Sequence, residues 1–259
     1  MDVTEPVVRT VGGLVRGRRE AGRADDGLGY VHGRTLVSCF RLVREPPGTV
    51  NRMTGGRREL IPFKGDLEPD EDYEGLRFAE ATFDEAAAGG CHFLDCSFVG
   101  VSFGGGRLRT SRFTGVTLRE VRFVATDLAE TGWQDTTLTG CALAGVQAYS
   151  AELRRVVFRD GKLDSVNFRG AVFTDVAFED CVLRDADFGG ATLVRVSFAG
   201  CTLTEADFTK AACTEVDLRG ARLAITAGYE SLRGVTIDSV QLVALAPYLA
   251  RHLGITVAD

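Results

Sequence analysis

The sequence predicts an all-β chain wound into a square, parallel solenoid, and two observations carry this. Apolar residues, mostly large, recur every five positions from Phe78 to Leu223, about thirty times without a slip. Two residues before each of them, a second slot holds a small or modest residue, as at Ala81, Cys91, Val101, Val116, Cys181 and Ala206. A helix repeats about every 3.6 residues and a strand about every 2, so a strict period of five fits neither. Each five-residue unit must instead be one side of a coil. Four sides make a coil of about twenty residues, and coils stack as parallel strands roughly 4.8 Å apart. Both slots point into a narrow bore. The remaining three residues point outward and are mostly Arg, Asp, Glu, Thr, Ser and Gly.

The segments that carry the period most cleanly are Ala186-Asp187-Phe188-Gly189-Gly190, Ala206-Asp207-Phe208-Thr209-Lys210 and Val216-Asp217-Leu218-Arg219-Gly220. They resemble the pentapeptide-repeat family, whose consensus is Ala-(Asp/Asn)-(Leu/Phe)-X-X. The resemblance covers about 150 of the 259 residues. It implies a right-handed quadrilateral parallel β-helix, a hand that agrees with the general rule for parallel crossovers.

Columns follow from the twenty-residue coil. Phe158, Phe178 and Phe198 should stack on one side, and Phe168, Phe188 and Phe208 on another. Cys181 should lie over Cys201. Between Gly106 and Thr137 several small slots hold Gly, Ser or Thr, so the middle of the core is expected to be less tightly packed.

Residues 1–52 look different. They carry nine basic against six acidic residues and show no sustained period. They are read as a poorly ordered basic segment, either an arm toward nucleic acid or an acidic partner, or translated sequence upstream of a natural start at Met53. The second reading is preferred, and an intact mass of the native protein decides it. Residues 53–75 are read as an N-terminal cap. Apolar Leu60, Ile61 and Phe63 lead into an acidic run from Asp66 to Glu74, and an open coil end needs a polar terminating element.

Residues 76–223 follow without an insertion, so the surface is expected to be a plain rod. Seven or more coils make it on the order of 35 Å long. Residues 224–259 are read as a final irregular coil and a helical cap. Asp238 and Ser239 offer an N-cap, and Val240, Leu242, Val243, Leu245, Leu249 and Leu253 recur at helical spacing. Pro247 should kink or split this helix, Gly254 should end it, and Ile255 and Val257 suggest a short terminal strand. This ending resembles the C-terminal caps of the quinolone-resistance group of the family. The resemblance implies a two-fold homodimer through this helix, with Leu242, Leu245, Leu249 and Leu253 as the cap or dimer residues.

No apolar run approaches the length of a membrane span, and no signal-peptide pattern opens the chain. Seven cysteines are present, five of them in the small inward slot (Cys91, Cys96, Cys141, Cys181 and Cys201). They are read as buried reduced thiols of a cytoplasmic protein, although Cys181 and Cys201 fall within disulfide reach of each other. No catalytic, cofactor-binding or metal-ligating set is found. His32, His92 and His252 are isolated, Gly104-Gly105-Gly106 precedes no helix, and Cys91-x4-Cys96 lacks a second ligand pair. The chain is read as a non-enzymatic binding protein.

Family resemblance implies one concrete role. Some relatives imitate B-form DNA and bind DNA gyrase or topoisomerase IV in its place, giving protection from quinolone-like inhibitors. Such a DNA mimic needs an acidic stripe. Between 76 and 223 there are twenty acidic and sixteen basic residues. One outward column is acidic: Glu80, Glu120, Asp160 and Asp180, with glycines in the intervening coils and Arg77, Arg119, Arg159 and Arg219 on the same side. The repeat domain is not expected to bind nucleic acid directly. The alternative reading is a general protein-interaction scaffold whose partner is unknown.

Overall fold

A computed structural model describes residues 59–258. The basic segment 1–52 and the beginning of the lead-in lie outside the described residues. The described chain forms a parallel β-solenoid of about eight turns, closed by one C-terminal helix. Each turn has four sides, named here by their buried aromatic: side one carries Phe78 and Phe178, side two Phe83, side three Phe188, and side four Phe93. Every rung of the regular coil pairs with the residue twenty positions on, as in Phe158↔Phe178 and Phe178↔Phe198. Only the two ends depart from this. Ile61 pairs with Leu76 at the start, and Val216 pairs with Val235 at the finish.

The four sides hydrogen-bond differently. Sides four and one merge into one 14-stranded sheet, and side two forms an 8-stranded sheet. Side three is narrower and is joined by single-residue bridges such as Asn167↔Asp187 and Asp187↔Asp207. There the consensus carboxylate has a backbone task. Asp187 Oδ1 accepts the Gly189 N–H at 2.8 Å, and Asp207 Oδ1 accepts the Thr209 N–H at 2.7 Å. These are Asx turns, in which a short polar side chain satisfies the amide two residues on and tightens the bend.

The corners explain the length of the repeat. From Asp70 to Gly220 every fifth residue has a positive φ, between 50° and 75°. A square path needs a sharp bend after each short strand, and the left-handed region supplies it. That region costs an L-residue about 1–2 kcal/mol, least for Gly, Asn and Asp. Accordingly glycine and acidic residues dominate these corners.

The bore is filled by stacked rings. Phe178 lies 4.7 Å from Phe158 and 4.8 Å from Phe198, with planes 9° and 3° apart. Phe188 stacks on Phe168 at 5.4 Å and on Phe208 at 5.0 Å. Both expected columns are therefore present. In the middle of the core the small polar slots are satisfied. Ser111, Thr126, Thr131 and Thr136 are fully buried, and each hydroxyl finds a backbone carbonyl, as in Ser111 Oγ to Ala88 O at 3.1 Å. Among the described residues no buried side-chain polar atom lacks a partner. A void of ≈ 20 Å³ remains and overlaps the later part of the stretch expected to be loose, among Phe123, Leu128, Trp133, Leu143, Ala148 and Phe168. Its cause is Ala148, a methyl group in the slot meant for a large side chain.

The six described cysteines are free thiols. The Cys181 N–H points at Cys201 Sγ at 3.4 Å, so the two do lie one above the other. Burial pushes the Cys141 thiol up to about 11. Cys201 is also raised, by its hydrogen bond with Cys181 and then by burial. Such thiols behave as small apolar fillers rather than nucleophiles.

At the C-terminus one helix runs from Ser239 to His252. Pro247 does not split it, so of the two expected outcomes the split is ruled out. Proline removes one hydrogen bond, to the carbonyl of Val243, and that residue is solvent-exposed, so water can satisfy it. Asp238 caps the helix in a reciprocal box with Gln241. Gly254 ends it at φ +71°, with Gly254 N–H on Arg251 O and Ile255 N–H on Ala250 O. Those two bonds form a Schellman motif. They turn Ile255 back toward the helix end, which is why the expected terminal strand over Ile255 and Val257 does not form.

Candidate interaction surfaces

The four acidic column residues share one corner, between sides one and two. Glu80, Glu120, Asp160 and Asp180 have φ of 50°, 55°, 53° and 52°, and all are exposed. The corner positions between and beyond them are Gly100, Gly140, Gly200 and Gly220. At two of these glycines a side chain has no room. The Glu80 carboxylate lies over the Gly100 Cα, and the Asp180 carboxylate lies over Gly200, where a Cβ would strike it. None of the four acids makes an ion pair among the described residues.

The opposite corner of side one carries Asp95, Asp135, Arg155, Asp175, Arg195 and Glu215, and its four middle charges pair internally. Arg155 grips Asp135 with two hydrogen bonds, the second 2.7 Å, and Arg195 grips Asp175 in the same way, the second 3.0 Å. Each guanidinium reaches back one coil along its own column. The arginine hydrogen bonds hold the Asp135 and Asp175 carboxyls below the usual carboxylate range. This corner is also where eight-residue strands run unbroken from side four into side one, over Gly132–Thr139, Glu152–Arg159, Val172–Glu179 and Thr192–Ala199. The twenty-residue arithmetic could have revealed these pairs, because Asp135, Arg155, Asp175 and Arg195 are spaced by twenty.

The four arginines expected on side one are not equivalent. Arg159 pairs with Glu179 at 2.6 Å, and Arg219 pairs with Asp217 at 2.6 Å. Arg77 and Arg119 have no such partner among the described residues and line an open groove of ≈ 710 Å³.

The helix leucines also separate. Leu245 is 3% exposed and seated against the last coil, and Leu249 is half-buried. Leu242 is 51% exposed and Leu253 72% exposed. The strongest anchor is a residue that apolar spacing could not single out. Gln241 is buried, and its Nε2 donates to Leu218 O and to Ala221 O, the latter at 2.7 Å. Its Oε1 accepts the Asp238 N–H at 2.8 Å. The Asp-x-x-Gln spacing of the capping box was the available signal. Tyr248 stacks on Tyr229 at 5.0 Å and adds a second seam.

No His, Cys, Asp and Glu cluster among the described residues could hold a metal ion. No helix among them is long and apolar enough to cross a membrane.

Comparison with known proteins agrees with this geometry. Family models described as pentapeptide repeat region and pentapeptide repeats (8 copies) match residues 131–208 and 77–115. No curated protein matches the chain. Among solved structures, trypsin-treated QnrB1, a plasmid-mediated fluoroquinolone resistance protein, is similar with a TM-score of 0.51 at 19% identity. It covers 76% of this chain and 96% of its own. HetL, a pentapeptide repeat protein involved in heterocyst differentiation regulation in the cyanobacterium Nostoc, gives 0.34 at 18% identity, covering 68% and 93%. A pentapeptide repeat protein from the Arabidopsis thaliana thylakoid lumen gives 0.24 at 22%, covering 56% and 71%.

Proposed function

We propose, from the premise that this chain is a pentapeptide-repeat protein, that it works by binding a protein and not by catalysis, and that its partner is DNA gyrase or topoisomerase IV. In this reading the solenoid stands in for a DNA duplex and protects the enzyme from quinolone-like inhibitors. The observation that carries the reading is the acidic corner: Glu80, Glu120, Asp160 and Asp180 are exposed and unneutralised along one edge of a coil without insertions. A duplex presents a regular line of negative charge, and a column of carboxylates at coil multiples is a sparse version of it. The fold shared with QnrB1 supports the choice of partner.

The test is gyrase supercoiling with the full chain, with and without a fluoroquinolone. Charge removal should use Glu80→Gln, Glu120→Gln, Asp160→Asn and Asp180→Asn together. Alanine is the wrong probe, because these corners need a positive φ that Asn tolerates better. Four lost surface contacts should raise the half-inhibiting concentration about tenfold. Unchanged inhibition by the quadruple variant, or no effect of the native chain, would sink the reading.

The second reading, a general protein-interaction scaffold, draws on the charge mosaic. One corner is acidic, the next holds two internal Arg–Asp pairs, and the groove between them is basic.

A second copy of the chain is the proposed cover for the helix. Val240, Leu242, Val243 and Leu253 are all more than half exposed on one short element, and such apolar patches mark association sites. In sedimentation the native chain should run as a dimer, and Leu242→Asp with Leu253→Asp should run as a monomer. A native monomer at tens of micromolar would remove this part of the proposal.

A further inference from the structure

The groove on side one belongs neither to the acidic corner nor to the helix, and its chemistry is opposite in sign. Its floor is two outward columns. Arg77, Ser97, Thr117 and Thr137 occupy successive rungs of one. Val99, Arg119, Thr139 and Arg159 occupy successive rungs of the other. The segment Glu59 to Pro62 walls one end. Rungs are about 4.8 Å apart, so the three guanidinium groups recur roughly every 10 Å along the coil axis.

Most of these donors are unspent. Arg77 and Arg119 make no ion pair, and the hydroxyls of Ser97, Thr117, Thr137 and Thr139 make no hydrogen bond within the described chain. Hydroxyls elsewhere are used, as Ser165 on Asp185 at 3.0 Å. Glu59 is the one carboxylate among the lining residues. Two free guanidinium groups, a third on Arg159 shared with Glu179, and a line of free hydroxyls over ≈ 710 Å³ suit an extended anion, not a single small one.

We propose that this groove binds an extended acidic peptide segment of a protein partner, with carboxylates at about every third residue. An extended chain rises about 3.3 Å per residue, so that spacing matches the arginine repeat. No aromatic side chain lines the groove. Single-stranded nucleic acid is bound largely by stacking bases on aromatics, so it is the poorer occupant. The first 52 residues of this chain carry nine basic against six acidic residues, so they offer no charge complementarity to it either.

The experiment uses the full chain and fluorescence anisotropy of a labelled peptide of about twelve residues with Glu at every third position. Gyrase is absent, so the result is independent of the acidic-corner reading. Arg77→Glu with Arg119→Glu should weaken binding about tenfold or more. The control, Arg184→Glu with Arg222→Glu, makes the same charge change on side two and should leave binding within about twofold of native. All four positions are exposed, and a thermal melt checks that each variant folds. Absence of peptide binding at about millimolar concentration would overturn the proposal. Equal losses in both double variants would overturn it as general charge attraction. Preferential binding of a thymidine oligonucleotide of similar length would overturn it in favour of nucleic acid.

Discussion

Replacing Phe178 with alanine is expected to destabilise the solenoid by about 3–5 kcal/mol. Phe178 is fully buried between Phe158 and Phe198, with ring planes within 9° of parallel on both sides. The backbone cannot collapse onto the gap, because each rung is tied to the next by ladder hydrogen bonds at a constant twenty-residue register. The cavity therefore persists. For a domain of this size, a loss of that magnitude lowers the melting temperature by roughly 10 °C. Phe178→Leu should cost far less, under about 1.5 kcal/mol, because the same column already accommodates Leu118 and Leu138 in other coils. Circular-dichroism melts of the two variants separate volume from ring stacking. Equal losses for leucine and alanine would show that the stack itself is essential, and a loss below about 1 kcal/mol for alanine would show that the bore is plastic.

Gln241→Ala should release the C-terminal helix. The Gln241 amide satisfies two carbonyls of the last coil, on Leu218 and Ala221, and returns a bond to the helix start at Asp238. Truncation leaves the Ala221 carbonyl without its donor, at about 1–3 kcal/mol, while Leu218 O keeps only the Ala221 N–H at 3.0 Å. In a stacked-repeat protein stability is close to a sum of neighbouring interfaces, so this loss stays local. Hydrogen exchange should quicken in Ser239–His252 and Val235–Thr236, with little change around Phe178. Asp238→Ala is the informative partner, because it removes the cap and leaves the amide on its carbonyls. Unchanged exchange in the helix of Gln241→Ala would mean that Leu245 and the Tyr229–Tyr248 stack suffice to hold it. The dimer expected through Leu242 and Leu253 depends on the same docking, so it should weaken in parallel.

How far the surface could be read varied by residue. Columns are arithmetic, so the alignment of Glu80, Glu120, Asp160 and Asp180 was available from the spacing, as was the Asp135–Arg155–Asp175–Arg195 ladder. What the spacing could not supply was the state of each charge. Arg159 and Arg219 are engaged by Glu179 and Asp217, while Arg77 and Arg119 are not. That difference depends on which side chain reaches up, down or sideways between rungs. The carboxylates of Asp187 and Asp207 look like surface charge in the sequence, yet they are committed to backbone amides.

The sequence by itself determined the solenoid, its twenty-residue coil, the stacked phenylalanines and the position of the closing helix. It could do so because a narrow bore admits one large and one small side chain per side, and any slip of register would expose the whole apolar set. The tertiary structure alone decided that every fifth residue adopts a left-handed bend, that Gln241 and not the leucine stripe anchors the helix most strongly, and that one face keeps Arg77 and Arg119 unpaired. Those features arise at corners, ends and outward faces, where several residue types satisfy the same backbone and only the neighbouring coil selects among the contacts each can make.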